Sequence, residues 1–254
     1  MELISQNNSF KKIDSAYMNL EHGMSDSSIA LKIENLSKIF DTTSGKFVAL
    51  NRINFVIKKG EFVSIVGPSG SGKSTLLNMI GALDQPTQGK VFIDGVDISS
   101  LSNSDVATLR NLKIGFIFQS FNLINRSSVQ KNVELPSIIS GMNKEDRNRR
   151  SLKILKALGI LDKANQKPVN LSGGEQQRVA IARSMINNPS IILADEPTGN
   201  LDTKTGEEIF NMLKKLSNKF GRTIIMVTHN QELAEKTDRS IYIRDGIVEK
   251  DTYN

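Results

Sequence analysis

The nine residues from Gly67 to Thr75, which read Gly-Pro-Ser-Gly-Ser-Gly-Lys-Ser-Thr, constrain the fold more than any other stretch of the chain. They fit the pattern G-x-x-x-x-G-K-[ST]. Glycine lets the backbone curl so that successive N–H groups face inward, and a helix that begins near Lys73 adds the positive end of its dipole. Such a loop can hold a phosphate chain, with Lys73 reaching the outer phosphates and the Ser74 hydroxyl available to Mg²⁺.

The segments on either side of this loop agree with that interpretation. The apolar residues 62–66 predict a short buried strand, and residues 75–82 predict a helix with apolar side chains on one face. A strand, a glycine-rich turn and a helix are the structural context that the pattern requires. The sequence therefore predicts an α/β fold built around a phosphate-binding loop.

The length and composition limit the class of protein. A chain of 254 residues predicts one large α/β domain, or one domain with an inserted subdomain. No apolar run approaches the roughly 18 residues of a membrane-spanning helix. The first residues also lack the basic region followed by an apolar region that marks a secretory signal. We therefore expect a cytoplasmic location. Because the chain has no Cys, disulfides, thiol chemistry and zinc–thiolate sites are excluded.

The pattern of apolar residues divides the chain into segments. Residues 1–28 are polar and rich in Asn and Ser, which predicts a mobile extension, with a short partner-binding helix around residues 12–20 as the alternative. Alternating strand and helix patterns then predict one domain over residues 29–254. A helical and loop-rich stretch at about residues 120–171 interrupts this alternation, so we expect an inserted helical subdomain there.

Positive charge is concentrated within this helical and loop-rich stretch. The chain has a formal net charge of +6, and residues 143–167 contain eight basic and three acidic side chains. A solvated helix face is the usual explanation of such a run. A surface that faces anionic lipid headgroups or an acidic partner is the alternative.

Polar side chains follow three of the predicted strands. Gln119 follows one strand, Asp195 ends the next with Glu196 directly after it, and His229 follows the third. Because ligand groups gather at the carboxyl ends of strands in α/β sheets, we expect these side chains near the phosphate loop. Asp195 could hold Mg²⁺ and Glu196 could polarise a water molecule, whereas a lone His is more often structural.

Two further features allow two interpretations each. Phe40 lies between the first two predicted strands, where it could stack on an adenine ring or pack in the ordinary way. The segment Leu171–Arg178 reads LSGGEQQR and opens a helix. Its Ser-Gly-Gly start is a second possible anion site, or Ser172 is a simple N-cap.

Taken together, these segments resemble the ATP-binding cassette (ABC) family of ATPases over roughly residues 30–249. Six motifs occur in the family's order: GPSGSGKST as Walker A, Gln119 as the Q-loop residue, LSGGEQQR as the signature, IILADE as Walker B, GNLD as the D-loop and His229 as the H-loop residue. Phe40 stands where many members carry the adenine-stacking Tyr, and Phe can still stack. LADEPTGNLD, GALDQPTQG and LSGGEQQRVAIAR resemble the LolD/MacB-like group of the family.

The resemblance implies a P-loop NTPase core with a mainly parallel sheet, an N-terminal antiparallel β subdomain and an inserted helical subdomain. It also implies a head-to-tail homodimer with two ATP molecules between Walker A of one chain and the signature of the other. The implied ATP-binding residues are Phe40, Gly67, Pro68, Ser69, Gly70, Ser71, Gly72, Lys73, Ser74 and Thr75, with Ser172, Gly173 and Gly174 acting in trans and Asp202 coupling the two sites. The implied Mg²⁺ ligands, direct or through water, are Ser74, Gln119 and Asp195. The implied catalytic residues are Glu196, His229, Lys73 and Gln119.

By the same resemblance, the chain hydrolyses ATP at the inner face of the cell membrane and energises a separate transmembrane permease. The implied transport step exports or extracts a lipoprotein, a peptide or an amphipathic drug. One alternative is an FtsE-like ATPase that transmits force without transport. Another is a soluble cassette ATPase that acts on nucleic acid or the ribosome, although we expect no nucleic-acid partner.

Overall fold

The structure is a computed structural model that describes residues 28–43 and 45–254. The expected extension, residues 1–28, lies outside the described residues except for its last member. The division of the chain at residue 28 therefore stays a prediction. None of the described helices is long and apolar enough to cross a membrane.

The described chain alternates between strands and helices. The strands are β1 (Ile29–Thr42), β2 (Gly45–Lys58), β3 (Phe62–Val66), β4 (Gln88–Ile93), β5 (Val96–Asp97), β6 (Ile114–Phe118), β7 (Ile191–Asp195), β8 (Thr223–Val227), β9 (Arg239–Arg244) and β10 (Ile247–Tyr253). The α-helices are α1 (Lys73–Ile80), α2 (Asn103–Lys113), α3 (Val129–Ile139), α4 (Lys144–Ala157), α5 (Gly173–Met185), α6 (Thr203–Phe220) and α7 (Gln231–Glu235). Short 3-10 turns occupy Ile98–Ser100, Leu161–Lys163 and Pro168–Asn170.

The first sheet is antiparallel and has four strands in the order β2-β1-β4-β5. Apolar residues alternate along β1, and Leu31, Ile33 and Leu36 are buried, as expected of a sheet with one face on the core. Phe40 of β1 lies directly opposite Phe47 of β2 in this ladder. The predicted antiparallel β subdomain is therefore confirmed.

The second sheet has six strands in the order β10-β9-β3-β8-β7-β6. The five strands from β9 to β6 are parallel to their neighbours, and only β10 is antiparallel. All five residues of β3 and of β8 are buried, because both faces of a mainly parallel sheet are covered. The predicted mainly parallel sheet is confirmed.

Two apolar cores lie on opposite faces of this sheet. Val63 and Ile65 of β3 pack into the first core, which also contains α1 and the inner face of the antiparallel sheet. Phe62, on the opposite face of β3, packs into the second core with residues of α3, α5 and α6. Its ring stacks on Phe210 of α6, with the ring centroids 5.5 Å apart. The central strand therefore ties the two halves of the fold together.

Helices α3 and α4 occupy the stretch between β6 and α5, where an inserted subdomain was expected. Val133 of α3 and Leu155 of α4 are fully buried against α5 in the second core. Helix α5 begins at Gly173 and ends at Met185. The boundaries of a helical subdomain at about residues 120–171 stay a prediction.

An ion pair between the buried Arg239 and the more exposed Asp251 joins the last strands to the antiparallel sheet. Arg239, which is 7% exposed, donates hydrogen bonds of 2.7 and 2.6 Å to the two carboxylate oxygens of Asp251. It also donates to the carbonyl oxygen of Val56 at 2.7 Å and lies 3.7 Å from a carboxylate oxygen of Glu61. This fork-shaped contact fixes β10 beside β9 and links both to β2.

Candidate active site

The loop from Gly67 to Gly72 joins β3 to α1 and depends on glycine at both ends. Gly72 has φ 103°, and a Cβ atom there would lie 2.5 Å from the carbonyl oxygen of Ala49. Gly67 has φ 157°, and its Cβ would lie 2.0 Å from the carbonyl oxygen of Ile243. Any other residue at either position would force the backbone apart, so the loop closes only with glycine.

Lys73 is the first residue of α1, and its side chain turns back over the loop. The Nζ atom donates hydrogen bonds to the carbonyl oxygens of Gly67 at 2.9 Å and of Pro68 at 2.7 Å. Burial lowers the pKa of Lys73, and the carboxylates of Glu196 and Asp195 act in the opposite direction. The ammonium group is thus held at the centre of the loop, beside two acids.

The remaining residues of the loop provide polar groups around this centre. The Ser71 Oγ atom is buried and has no hydrogen-bond partner among the described residues. The Ser71 carbonyl accepts a hydrogen bond of 3.0 Å from the N–H of Gly246, which anchors the loop to the β9–β10 turn. An unpaired buried hydroxyl and a cradle that excludes Cβ atoms are features that fit a bound phosphate chain.

A cavity of about 460 Å³ opens above the loop. It is lined by Phe47, Ala49, Ser69, Gly70, Gly72, Lys73, Ser74, Thr75, Glu196, Val227 and His229. A second cavity of about 350 Å³ shares Ser69 and His229 with it and extends along Gly67 and Pro68 to β9 and β10. All of the expected phosphate-loop residues except Ser71 therefore line one or both of these cavities, with Glu196 in the first and His229 in both.

Glu196 takes its position from an unusual backbone. It follows β7 directly and has φ 44°, a left-handed conformation that is costly for a residue with a side chain. Its N–H donates to the carbonyl oxygen of Val227 at 2.9 Å, which fixes it at the end of β8. The Glu196 Oε2 atom lies 2.7 Å from Nδ1 of His229. His229 is 70% exposed at its side chain, whereas Glu196 is 23% exposed.

Asp195 is the last residue of β7 and directly precedes Glu196 in the chain. Burial raises the pKa of Asp195, Glu196 raises it further, and Lys73 opposes the shift. Among the described residues, no group of three or more His, Cys, Asp or Glu side chains converges on one point. Mg²⁺ needs only one or two protein oxygens when substrate phosphates complete its shell, and the Ser74 hydroxyl and the Asp195 carboxylate are oxygens of the kind that it prefers. Ser74 lines the cavity, whereas Asp195 does not.

Gln119 follows β6 and is not among the residues that line the cavity. Its Nε2 atom lies 3.3 Å from Oδ1 of Asn200, and Asn200 Nδ2 donates to the Gln119 carbonyl oxygen at 3.0 Å. A Cβ on Gly199 would lie 2.6 Å from the same Nε2 atom. The predicted Q-loop residue is thus tied to the turn that precedes α6, and Asn200 is a partner that the sequence analysis missed.

Phe40 is 37% exposed and does not line the cavity. Its ring lies 4.9 Å from Nζ of Lys38. Phe47, which is opposite Phe40 in the β1–β2 ladder, lines the cavity and is 54% exposed. Because directly opposed residues project from the same face of a sheet, the two side chains lie on one face, and of the pair only Phe47 lines the cavity. The sequence analysis singled out Phe40 alone and missed Phe47.

Ser172, Gly173 and Gly174 form the start of α5, outside the cavity lining. Ser172 and Glu175 make a capping box: the Glu175 N–H donates to Ser172 Oγ at 3.3 Å, and the Ser172 N–H donates to Glu175 Oε2 at 2.8 Å. A Cβ on Gly174 would lie 2.5 Å from Cγ2 of Thr205. The starts of α5 and α6 are therefore in close contact, and a side chain at Gly174 would require Thr205 to move.

Asp202 is the N-cap of α6 and accepts a hydrogen bond of 3.0 Å from the N–H of Thr205. Hydrogen bonds from Thr205 lower the pKa of Asp202. A Cβ on Gly173 would lie 3.1 Å from the side chain of Leu201, which precedes Asp202. One chain thus presents two separate surfaces, the phosphate-loop cavity and the paired starts of α5 and α6.

Comparison with known proteins gives consistent results. The family described as "ABC transporter" matches residues 50–199. The chain is 50% identical over 225 residues to the uncharacterized ABC transporter ATP-binding protein MJ0796 of Methanocaldococcus jannaschii, covering 87% of this chain and 96% of that protein. It is 46% identical over 222 residues to the macrolide export ATP-binding/permease protein MacB of Brucella melitensis. That match covers 87% of this chain and only 34% of MacB.

A solved structure agrees with the fold. The dimeric structure of MJ0796 in a post-hydrolysis state, bound to ADP and Pi, has a TM-score of 0.80 and 48% sequence identity to this chain. The match covers 88% of this chain and 98% of that one. The sequence and the fold therefore point to the same group of proteins.

Proposed function

The chain belongs to the ABC transporter family, and from that premise we propose the roles of its site residues and the class of molecule that it moves. It is the ATP-binding subunit of a transporter, it hydrolyses ATP, and it works as a dimer with a membrane permease. One observation carries the proposed roles: Lys73, Glu196 and His229 surround the same cavity above the glycine-rich loop.

The phosphate chain of ATP binds in the loop between Gly67 and Lys73. The backbone N–H groups and the start of α1 attract the negative charge. The Lys73 ammonium now donates to the carbonyl oxygens of Gly67 and Pro68, and it exchanges these partners for oxygens of the outer phosphates. Phe47, which lines the cavity, and Phe40, opposite it on the same face of the sheet, offer an aromatic face to the adenine ring.

Hydrolysis uses the carboxylate of Glu196. This carboxylate accepts a hydrogen bond from a water molecule that attacks the γ-phosphorus, and the bond to the bridging oxygen of ADP breaks. ADP and phosphate are the products, and Lys73 stabilises the negative charge that spreads over the phosphate oxygens. His229 orients Glu196 through the 2.7 Å contact and reaches the γ-phosphate from the cavity rim. Ser74 and Asp195, with Gln119 through water, would hold a Mg²⁺ ion, whose charge would further stabilise the phosphate oxygens.

The second half of the site comes from the partner chain in the dimer. Gly173 and Gly174 begin a helix, so their N–H groups have no intrahelical partner, and the positive dipole end beside them and the Ser172 side chain attracts the γ-phosphate of the other chain. Asp202 lies beside them at the start of α6 and couples the two sites. The dimeric, ADP-bound structure of MJ0796 supports this arrangement.

The proposed transport role of this chain is inferred from its relatives. MacB is named for macrolide export and carries ATP-binding and permease parts. We infer that this chain sits on the inner face of the membrane, against a separate permease, and energises the export or extraction of an amphipathic molecule such as a lipoprotein, peptide or drug. The comparisons do not favour the FtsE-like and nucleic-acid alternatives.

Purification of a tagged Glu196→Gln chain from detergent-solubilised native membranes, with ATP present, tests this proposal. We expect a multi-spanning membrane protein to co-purify in stoichiometric amount, because ATP that is not hydrolysed keeps the dimer closed. A matched Lys73→Ala chain serves as the control for nucleotide dependence. Recovery of ribosomes or nucleic acid without any membrane protein would contradict the transport role and leave the ATPase assignment intact.

A further inference from the structure

Gln177 is a fully buried polar side chain on α5 that the mechanism above does not use. It lies about one helical turn after Gly173, the first residue of the helix. Its Nε2 atom donates a hydrogen bond of 2.7 Å to the carbonyl oxygen of Pro197. Because a carbonyl oxygen can only accept, this contact also fixes which way round the amide lies. Gln177 therefore links the helix that begins with the signature to the turn that follows Glu196.

The backbone of this turn is held on both sides of the Glu196 side chain. The Glu196 N–H donates to the carbonyl oxygen of Val227 at 2.9 Å, and the Glu196 carbonyl oxygen accepts from the N–H of Gly199 at 3.0 Å. Gln177 holds the next carbonyl oxygen along the chain, that of Pro197. Glu196 has φ 44°, a conformation that persists only when the surrounding structure holds it in place. The contact from Gln177 is thus part of the support for a strained backbone at the reaction centre.

The other end of the same turn is fixed as well. Asn200 donates from Nδ2 to the carbonyl oxygen of Gln119 at 3.0 Å. Because this end is held, a shift of the Pro197 carbonyl group would be taken up at its neighbour Glu196. The hydrogen bond from Gln177 can therefore influence where the Glu196 carboxylate lies.

Stability alone does not account for a glutamine at this position. The Oε1 atom of Gln177 is buried and has no hydrogen-bond partner among the described residues. A buried polar atom without a partner lowers stability. The nearby residues Val179, Ala180 and Ile181 of α5 are fully buried and apolar. The amide is therefore kept in apolar surroundings, at a cost in stability, while it makes a single hydrogen bond to the catalytic turn.

Helix α5 faces two different reaction sites in the proposed dimer. Gly173 and Gly174 begin it, and they contact the γ-phosphate of the nucleotide that the partner chain binds. Gln177 contacts the turn after Glu196 of its own chain, and Glu196 lines the cavity above that chain's own phosphate loop. The start of the helix therefore serves the partner's site, whereas Gln177 serves the site of its own chain.

We propose that Gln177 is a positioning residue for ATP hydrolysis. It holds the Pro197 carbonyl oxygen, and it thereby fixes the Glu196 carboxylate in line with the water molecule that attacks the γ-phosphorus. Gln177 does not line the cavity, so it acts only through Glu196. This inference rests on the proposed function, in which Glu196 activates the water and the partner's α5 completes each site. The loss of Gln177 should slow the chemical step and leave nucleotide binding intact.

Replacing Gln177 with Met tests this role, because Met has nearly the same length and cannot donate a hydrogen bond. We expect kcat for ATP hydrolysis to fall by about ten- to a hundred-fold, since a small displacement of a catalytic group has effects of this size. The affinity for ADP, which is not hydrolysed, should change by less than about two-fold, because the phosphate loop is untouched. Steady-state kinetics and isothermal titration calorimetry measure the two quantities.

Gln130→Met is the matched control. Gln130 is a half-buried glutamine on α3, and its Nε2 atom donates to Glu134 and Ser151. This variant also loses side-chain hydrogen bonds, but it should keep kcat within about two-fold of the native value, because it shares no partner with the catalytic turn. The melting temperature of the Gln177→Met chain should fall by no more than that of the control, since the substitution also removes the unsatisfied Oε1 atom.

Mixed dimers separate an effect on Glu196 from an effect on the start of α5. In an equal mixture of Lys73→Ala and Ser172→Asp chains, one site of each mixed dimer is intact. It combines the loop and Glu196 of the Ser172→Asp chain with the α5 start of the Lys73→Ala chain. Adding Gln177→Met to the Ser172→Asp chain should lower the recovered ATPase rate by about ten-fold or more. Adding it to the Lys73→Ala chain should lower that rate by less than about two-fold, because this chain supplies only the signature.

Four results decide against the proposal. The first is a native kcat in the unmixed Gln177→Met chain, and the second is a fall in kcat that is matched by an equal fall in ADP affinity. The third is an equal loss of rate from both placements in the mixed dimers, which poor folding of the variant would also produce. The fourth is a larger loss when the Lys73→Ala chain carries the substitution, which would assign Gln177 to the signature of the partner's site.

Failure of the proposed function gives a different result. If the parent mixture of Lys73→Ala and Ser172→Asp chains recovers no activity, the site is not shared between chains. The comparison of kcat and ADP affinity in the unmixed Gln177→Met chain then still decides whether Gln177 positions Glu196, because that comparison needs only the chain's own loop and turn.

Discussion

The Nδ1 atom of His229 and the Oε2 atom of Glu196 lie 2.7 Å apart at the ends of two adjacent parallel strands. Glu196 is fixed by its left-handed backbone and by its N–H bond to Val227. His229 is the more exposed member of the pair and can follow a bound γ-phosphate. We propose that the fixed Glu196 positions the attacking water and that the exposed His229 senses the nucleotide.

Replacing Glu196 with Gln should slow ATP hydrolysis by about a hundred-fold or more, because the amide cannot accept a proton from the attacking water. ATP affinity should change little, since the loop and Lys73 are untouched. With ATP, the variant should elute as a dimer in size-exclusion chromatography, whereas the native chain should return to monomers as it hydrolyses ATP. Hydrolysis at the native rate would refute the role assigned to Glu196.

Replacing Lys73 with Ala should weaken ATP binding by about ten- to a hundred-fold, the usual effect of losing a charge-assisted hydrogen bond. The Gly67 and Pro68 carbonyl oxygens would also lose their donor. Isothermal titration calorimetry measures the change. Lys59→Ala, at a half-exposed lysine that does not line the cavity, is the matched control. An unchanged affinity in the Lys73 variant would exclude a direct contact with phosphate.

Replacing Ser172 with Asp tests whether the signature acts on the partner's nucleotide. Asp is as good an N-cap as Ser, so α5 should remain folded, but its charge would repel the γ-phosphate. The Ser172→Asp and Lys73→Ala chains should each be nearly inactive alone. A mixed dimer contains one native site, so an equal mixture should recover about a quarter of the native ATPase rate if the two sites act independently. No recovery in the mixture, with mixed dimers demonstrated, would contradict a site shared between chains.

Replacing Asp251 with Asn should lower the free energy of unfolding by about 2 to 3 kcal/mol, because it leaves the buried Arg239 guanidinium without its bidentate partner. The nearby Glu61 carboxylate limits the loss of stability, because it remains 3.7 Å from the Arg239 guanidinium. Urea unfolding measures the change in the free energy of unfolding. Lys250→Gln, at the exposed neighbouring position on β10, should change the stability by less than about 0.5 kcal/mol. Equal stability of the Asp251 variant and the native chain would show that the pair contributes nothing net.

Much of this fold could be predicted from local sequence patterns. The strand at Phe62–Val66, the loop and the helix from Lys73 each rest on apolar periodicity and on glycine at required positions. The same holds for the strand that ends at Asp195 and for the N-cap at Ser172. Local patterns predict these elements because their geometry depends on residues within a few positions of one another.

The parts that escaped prediction depend on residues far apart in the chain. Gln119 and Asn200 are 81 positions apart, yet they hydrogen-bond to each other. Phe47 lines the cavity, and its position there depends on the register of the β1–β2 ladder, which no short motif encodes. The hydrogen bond from Gln177 to Pro197 likewise exists only when α5 is placed beside the turn that follows β7.

The separation of the phosphate-loop cavity from the paired starts of α5 and α6 on one chain has a consequence for the rate of ATP hydrolysis. Under the proposed shared site, an isolated chain would have no complete reaction centre, because the starts of α5 and α6 do not line its own cavity. ATPase rate per chain should then rise with protein concentration until dimers saturate, as in any second-order assembly. A permease that holds two copies side by side raises their effective concentration, so dimer formation no longer depends on diffusion of free chains. The membrane partner could therefore set the speed of the chemistry without touching any reacting atom.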